Sequence, residues 1–168
     1  HLQSSSFNVV VLATGVKARI PEIQGSGRSN VLSYEMAINE PEKVGRRVAI
    51  LGAGGIGIDV AELLTTPSEL DEGSPVEHFA QEWGIDFNRH PRGGVTGVQP
   101  TIKKSAREVY LLQRKTSPIG QNLAPTTGWA HKIMLQRRGV QMITGVDYQS
   151  IDELSITYRK GQQAYRLM

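Results

Sequence analysis

The chain has 168 residues, enough to bury one ordinary core. Hydrophobic residues make up 39% and charged residues 21%, and the formal net charge is +3, which excludes a disordered charged tail and leaves no cationic stripe for nucleic acid. Cysteine is absent, which excludes disulfides, thiolate metal sites and iron–sulfur ligands from this chain, and no apolar run approaches the roughly 18 residues of a spanning helix. A reducing, cytoplasmic setting away from membranes is the expectation.

In chain order, a polar opening, Gln3-Ser4-Ser5-Ser6, runs into Phe7-Asn8-Val9-Val10-Val11-Leu12-Ala13-Thr14-Gly15. Its residues 9–13 predict a buried strand closed by Gly15. Residues 17–23 read as extended, with Pro21 biasing Ile20 toward the β region. Residues 31–39 fit a short helix capped by Ser33, with Glu35 in its first turn. Then comes Arg47-Val48-Ala49-Ile50-Leu51-Gly52-Ala53-Gly54-Gly55-Ile56-Gly57-Ile58-Asp59-Val60-Ala61-Glu62-Leu63-Leu64. It reads as a strand, a Gly-x-Gly-x-x-Gly turn and an amphipathic helix that fades near Thr65-Thr66-Pro67.

That order is the fingerprint of a dinucleotide site. Gly52 allows the tight turn off the strand, Gly54 lets a pyrophosphate approach the backbone, and Gly57 lets the helix pack close to the strand. Ala53, Gly55 and Ile56 complete the turn, whose helix end offers free N–H groups and positive dipole to phosphates. Asp59, read as the third residue of that helix, stabilises the helix start as a carboxylate or lies near the far end of a bound nucleotide.

An insertion of residues 67–106 follows, where a minimal unit needs only a short loop. Ser74-Pro75-Val76-Glu77 is a capping box with Pro at the first helical position. Val76, Phe79, Ala80 and Trp83 then share one helix face, and Gly84 ends it. Residues 88–97, rich in Gly, Pro and Arg, read as an irregular loop. The insertion either shapes a binding mouth or is a surface ornament.

The second strand, Glu108-Val109-Tyr110-Leu111-Leu112, ends in Gln113-Arg114-Lys115. An NAD site places a carboxylate there for the ribose 2′-OH. Two cations there instead suit a 2′-phosphate, so the strand end predicts NADPH unless it is only a solvated basic turn. After Pro118 and Pro125, Thr126 or Thr127 caps a helix to about Arg138, with Trp129, Ile133 and Met134 as its buried side and Gly139 as its stop. Residues 140–144 form a short parallel strand. Residues 148–151, 154–158 and 164–167 alternate like an antiparallel meander, with a turn at Lys160-Gly161-Gln162. The fold class is α/β: a Rossmann-like doubly wound parallel sheet with helices on both faces and a three-stranded antiparallel meander near the C-terminus. His1, His78, His90 and His131 show no metal spacing, and His131 reads as a surface or supporting residue. An opening on His1 and a stop at Met168 inside a strand pattern suggest one part of a longer chain.

Four pieces carry a resemblance: Gly52-Ala53-Gly54-Gly55-Ile56-Gly57-Ile58-Asp59, Glu82-Trp83-Gly84-Ile85-Asp86, Leu112-Gln113-Arg114-Lys115 and Thr126-Thr127-Gly128-Trp129-Ala130-His131. They resemble the bacterial NADPH-dependent 2,4-dienoyl-CoA reductase family, within the flavoprotein disulfide-reductase class, and the likeness covers nearly the whole chain. It implies a parent flavoenzyme with FMN, FAD and a 4Fe-4S cluster, acting in unsaturated fatty acid β-oxidation. It makes residues 1–45 the end of an FAD-part strand plus linker, with Ala13-Thr14-Gly15 closing that part, and residues 46–168 the NADPH-binding domain. Carried over are Gly52, Gly54, Gly57, Arg114 and Lys115, with Asp59 near the nicotinamide end. The barrel's catalytic residues, the cluster cysteines and the FAD fingerprint have no counterpart here, so this chain alone is expected to be inactive. The partners implied are the FAD part and flavin barrel of the parent. The alternative is a structural nucleotide-binding module of a related flavoprotein, such as an amine dehydrogenase, without hydride transfer. Residues 9–13 are expected to fill the vacant edge of their own sheet or to pair with a second copy.

Overall fold

The computed structural model describes residues 8–15, 17–67, 74–87 and 97–168. Residues 88–96 of the expected 88–97 loop, the polar start with Phe7, His1 and His90 lie outside the described residues. No helix among the described residues is long and apolar enough to cross a membrane.

The helix capped by Ser33 is α1 (Tyr34–Asn39), and its Ser33 hydroxyl accepts the Met36 N–H. A 3₁₀ turn (Pro41–Lys43) leads into β1 (Arg47–Leu51). Then follow α2 (Gly55–Thr65), α3 (Pro75–Trp83), β2 (Glu108–Gln113), α4 (Gly128–Arg137) and β3 (Gln141–Thr144). The meander is β4 (Val146–Ile151), β5 (Ile156–Lys160) and β6 (Gln163–Leu167). The parallel sheet runs β1-β2-β3 and the antiparallel sheet β4-β5-β6.

The α/β class, the parallel sheet and the meander are as expected. Helices on both faces are not. Alternation along the strands sends Val48, Ile50, Val109, Leu111 and Met142 to one face, against Ile58, Ala61 and Leu64 of α2 and Leu135 of α4. The other residues of the same strands, Leu51, Tyr110, Leu112 and Ile143, meet Val146, Tyr148 and Tyr158 of the meander. Both crossovers step the same way along the sheet, and crossovers of one hand stepping one way put their helices on one face. The meander takes the face left open.

Three local expectations also change. Residues 9–13 form no strand: Val9, Val11 and Leu12 are 77%, 83% and 82% exposed. No strand among the described residues pairs with them, and an unpaired extended segment has nowhere to place its backbone N–H and C=O groups except water. The vacant-edge expectation therefore fails. On α4 the buried anchor is Leu135, fully enclosed, while Trp129 is 58% exposed. Trp129 is held instead through its indole N–H to the Thr126 carbonyl and edge-on against Trp83. On α3 the capping box forms as expected, with Ser74 and Glu77 bonded both ways. Ala80 is buried on α3, yet Val76 and Phe79 stay exposed, and no residue of α3 belongs to the core that α2 and α4 form on the sheet. Arg138 ties α3 down: its guanidinium holds Glu82 at 2.8 and 3.0 Å and the Thr66 hydroxyl at 2.8 Å.

The β4–β5 turn is built on Asp152. Its carboxylate accepts N–H bonds from Leu154 and Ser155, the Ser155 hydroxyl at 2.8 Å and the Arg166 guanidinium at 2.9 Å. The Leu154 N–H foremost, then the Ser155 hydroxyl and N–H and the Arg166 charge, hold its pKa down to about 2 from an ordinary 3.8. A carboxylate depressed in the folded state stabilises above its ordinary pKa, and that contribution disappears as pH falls through the folded value. Asp152→Ala is therefore expected to melt earlier than the native chain at neutral pH. The gap should narrow as pH drops from 3.8 to about 2, and a gap in melting temperature that does not change with pH contradicts this account.

Candidate functional site: a cleft at the carboxyl ends of the parallel strands

The chain turns sharply after β1 because Gly52 adopts φ +119°, a region closed to most side chains. Its N–H donates to the Leu112 carbonyl at 2.9 Å, which ties the turn to the end of β2. Gly54 is the N-cap of α2. The first bond of the helix runs from the Ile58 N–H to the Gly54 carbonyl at 3.0 Å. The N–H groups of Gly55, Ile56 and Gly57 therefore have no acceptor within the helix, and the positive end of the helix dipole lies with them.

The close approach expected at Gly57 is present. A Cβ on Gly57 would overlap the carbonyl of Gly52, so only glycine lets the helix lie this close to the turn. A Cβ on Gly54 or Gly55 would meet nothing within 4 Å. The space over the free N–H groups is open to a ligand, and an anion of phosphate size fits the chemistry there.

The turn opens on a cleft of about 810 Å³. Gly52, Ala53, Gly54 and Gly55 line one side and Gln113, Arg114 and Lys115 another, so the fold brings together the two groups that the sequence separates. Ile56 and Gly57 sit behind the lining, in the start of the helix. Asp59 does not line the cleft either; it is exposed and stands past the first turn of α2, which contains no acidic residue. The placement of Asp59 as third residue is corrected by the helix starting at Gly55, and stabilisation of the helix start falls with it.

The three residues after Leu112 differ in kind. Arg114 and Lys115 are exposed, and among the described residues neither side chain meets a carboxylate. Gln113 is spent on the fold: its amide donates to the carbonyls of Ser117 and Lys115 at 2.5 and 3.2 Å. The Gly145 N–H also donates to the Lys115 carbonyl, at 2.9 Å. The basic turn is thus held through its backbone carbonyls, and neither cationic head is spent on a carboxylate among the described residues.

Several lining residues escape a reading of the sequence. Residues 19–23 form one wall, Arg19 adding a third cation and Glu22 a carboxylate. This segment is held by a parallel bridge from Gln24 to Ser150, closed by the Ile151 N–H on the Gln24 carbonyl. Asp147 and Tyr148 line the cleft from the meander. Tyr148 shares the inward alternation of Val146, which is the one signal in the sequence that points to it. Arg19 and residues 117–123 carry no local signal. His131 lies outside the lining and bonds Glu62 at 2.9 Å, joining α4 to α2.

The two fingerprint glycines separate by experiment. Gly57→Val should lose about 1–3 kcal/mol or more of stability, since backbone lies where the side chain must go. Gly54→Val, in extended backbone, should cost no more than about 1 kcal/mol and still abolish dinucleotide binding. Thermal melts and titrations of both variants check this, and binding retained by folded Gly54→Val moves the phosphates elsewhere.

Known proteins share this architecture. Residues 2–165 match the Pyridine nucleotide-disulphide oxidoreductase family. A metal reductase from Desulforamulus reducens is 22% identical over 142 residues, 84% of this chain and 20% of the relative. Among solved structures, a 2-naphthoyl-CoA reductase aligns at TM-score 0.62 and 16% identity, over 91% of this chain and 17% of that one. The HOCl-induced flavoprotein disulfide reductase RclA of Escherichia coli aligns at TM-score 0.53 and 15% identity, over 91% of this chain and 27% of that one. The chain thus spans about a fifth of the length of that metal reductase. With the family matched across nearly its whole length, this chain belongs to the pyridine nucleotide-disulphide oxidoreductases.

Proposed function

We propose that the chain is the NADPH-binding part of a multi-cofactor flavoprotein oxidoreductase of the 2,4-dienoyl-CoA reductase kind, where it holds NADPH for hydride delivery to FAD. The observation that carries this reading is one cleft with two anion sites of different make. One is the helix start at Gly54 and Gly55, where the N–H groups of Gly55, Ile56 and Gly57 have no acceptor within the helix; the other is Arg114 and Lys115, which meet no carboxylate among the described residues. The Glu82-Trp83-Gly84-Ile85-Asp86 and Gln113-Arg114-Lys115 pieces support the dienoyl-CoA reductase assignment within the family.

In this reading residues 46–168 are the nucleotide domain, with its insertion at about 67–106, and residues 1–45 are the end of the FAD part and its linker. FAD, FMN and a 4Fe-4S cluster belong to the remainder of the parent, since this chain has no cysteine to hold a cluster. The substrate, a dienoyl thioester, is bound there too. Bound NADPH supplies the hydride. The residues of this chain bind and orient. The helix end and the N–H groups of Gly55 and Ile56 take the pyrophosphate. Arg114 and Lys115 take the 2′-phosphate, Arg with a planar fork and Lys with a compact charge. Gln113 builds the turn that presents both cations. Asp59, outside the lining, has no contact with the nucleotide in this account.

Charge-assisted contacts contribute about 1.5–3 kcal/mol each, and discounting two of them for exposure predicts an NADPH preference of roughly tenfold to a thousandfold over NADH. Fluorescence titration at fixed salt measures it. Arg114→Ala should lose most of the preference while NADH affinity stays nearly unchanged. Equal affinities, or tighter NADH, remove the NADPH assignment and favour a structural nucleotide module.

A further inference from the structure

The carbonyl of Leu112 is a shared acceptor. It takes the Gly52 N–H at 2.9 Å from the fingerprint turn and the Tyr148 hydroxyl at 3.0 Å from β4. Leu112 directly precedes Gln113-Arg114-Lys115 in the chain. One oxygen therefore joins the backbone anion site, the cationic strand end and the meander. The Tyr148 ring packs with Leu112, Val146 and Tyr158 and also lines the cleft, close enough to Arg114 to feel its charge. Burial pushes the phenol up to about 12 against the opposing pull of Arg114. It stays a protonated donor throughout the range in which nucleotide binds. Gln113 bonds within its own turn and the Gly145 N–H ties the Lys115 carbonyl to the β3–β4 junction, so neither reaches the fingerprint turn.

We propose that the Tyr148 hydroxyl is a positioning residue for nucleotide choice, setting the distance and direction between the pyrophosphate site at the start of α2 and the 2′-phosphate site at Arg114 and Lys115. The inference rests on the nucleotide reading above. Two anions on one rigid ligand are discriminated only if their sites are held in register, and a cation displaced by an ångström loses a charge-assisted bond that depends on direction. The hydroxyl holds that register from the sheet opposite the helices. It touches no reacting atom.

Tyr148→Phe removes the oxygen and keeps the ring. The expected result is an NADPH-over-NADH affinity ratio reduced by about threefold to tenfold, the worth of one net hydrogen bond, with NADH affinity itself little changed. A tyrosine that serves only the core predicts another outcome: a lower melting temperature and an unchanged ratio, which overturns the inference while NADPH binding stands. A native chain that binds neither nucleotide overturns the nucleotide reading and this inference with it. A second measurement needs no mutation. With tyrosines labelled at the ring carbon that bears oxygen, the Tyr148 resonance should move on adding 2′,5′-ADP and move much less with 5′-ADP. Equal movement with both overturns the proposal even if Tyr148→Phe fails to fold.

Discussion

Helix α2 can lie against the turn after β1 only because position 57 has no side chain. Any Cβ there would overlap the Gly52 carbonyl. That close approach sets the rest of the molecule. It lowers Ile58, Ala61 and Leu64 onto Val109 and Leu111, which makes the main core. It also aims the helix start, with its three unpaired N–H groups, into the cleft at the strand ends. One packing constraint therefore produces both the stability of the parallel sheet and the place where an anion is held.

The two anion sites differ in what they cost and how they respond. The N–H groups at the helix start are fixed backbone and lose no rotamer freedom when a phosphate arrives. Arg114 and Lys115 are long exposed side chains, so their contribution is screened by salt and reduced by ordering. Affinity for any dinucleotide should rest on the first site and the choice between nucleotides on the second. Asp147 and Glu22 in the same lining tell against excess negative charge elsewhere in the cleft. Arg19, on the wall formed by residues 19–23, adds a third cation to the same lining. The meander matters here as more than a cover for the second face of the sheet, since its Tyr148 reaches the acceptor that joins them.

Much of this was legible in the sequence because its signals are local. The strand, glycine turn and helix at residues 47–65 occupy one unbroken stretch whose period changes from two to 3.6. The Ser74 capping box is likewise four consecutive residues, and it formed as read. The meander showed itself by alternation and by the turn at Gly161. What sequence could not supply depended on distant neighbours. Residues 9–13 have the composition of a buried strand, but burial needs a partner strand, and none of the described residues provides one. On α4, aromatic bulk pointed to Trp129, whereas the core took Leu135, because the contact with α2 fixes which stripe faces inward. The segment that carries Arg19 is tied down by the pairing of Gln24 with Ser150, more than a hundred residues later, and no spacing rule connects them.

The most direct test is a crystal structure of the chain grown with NADP⁺. The account predicts the pyrophosphate against the N–H groups of Gly55 and Ile56 and the 2′-phosphate within hydrogen-bond reach of Arg114 and Lys115. A pyrophosphate bound away from the start of α2, or a 2′-phosphate turned into solvent with both cations untouched, would contradict it.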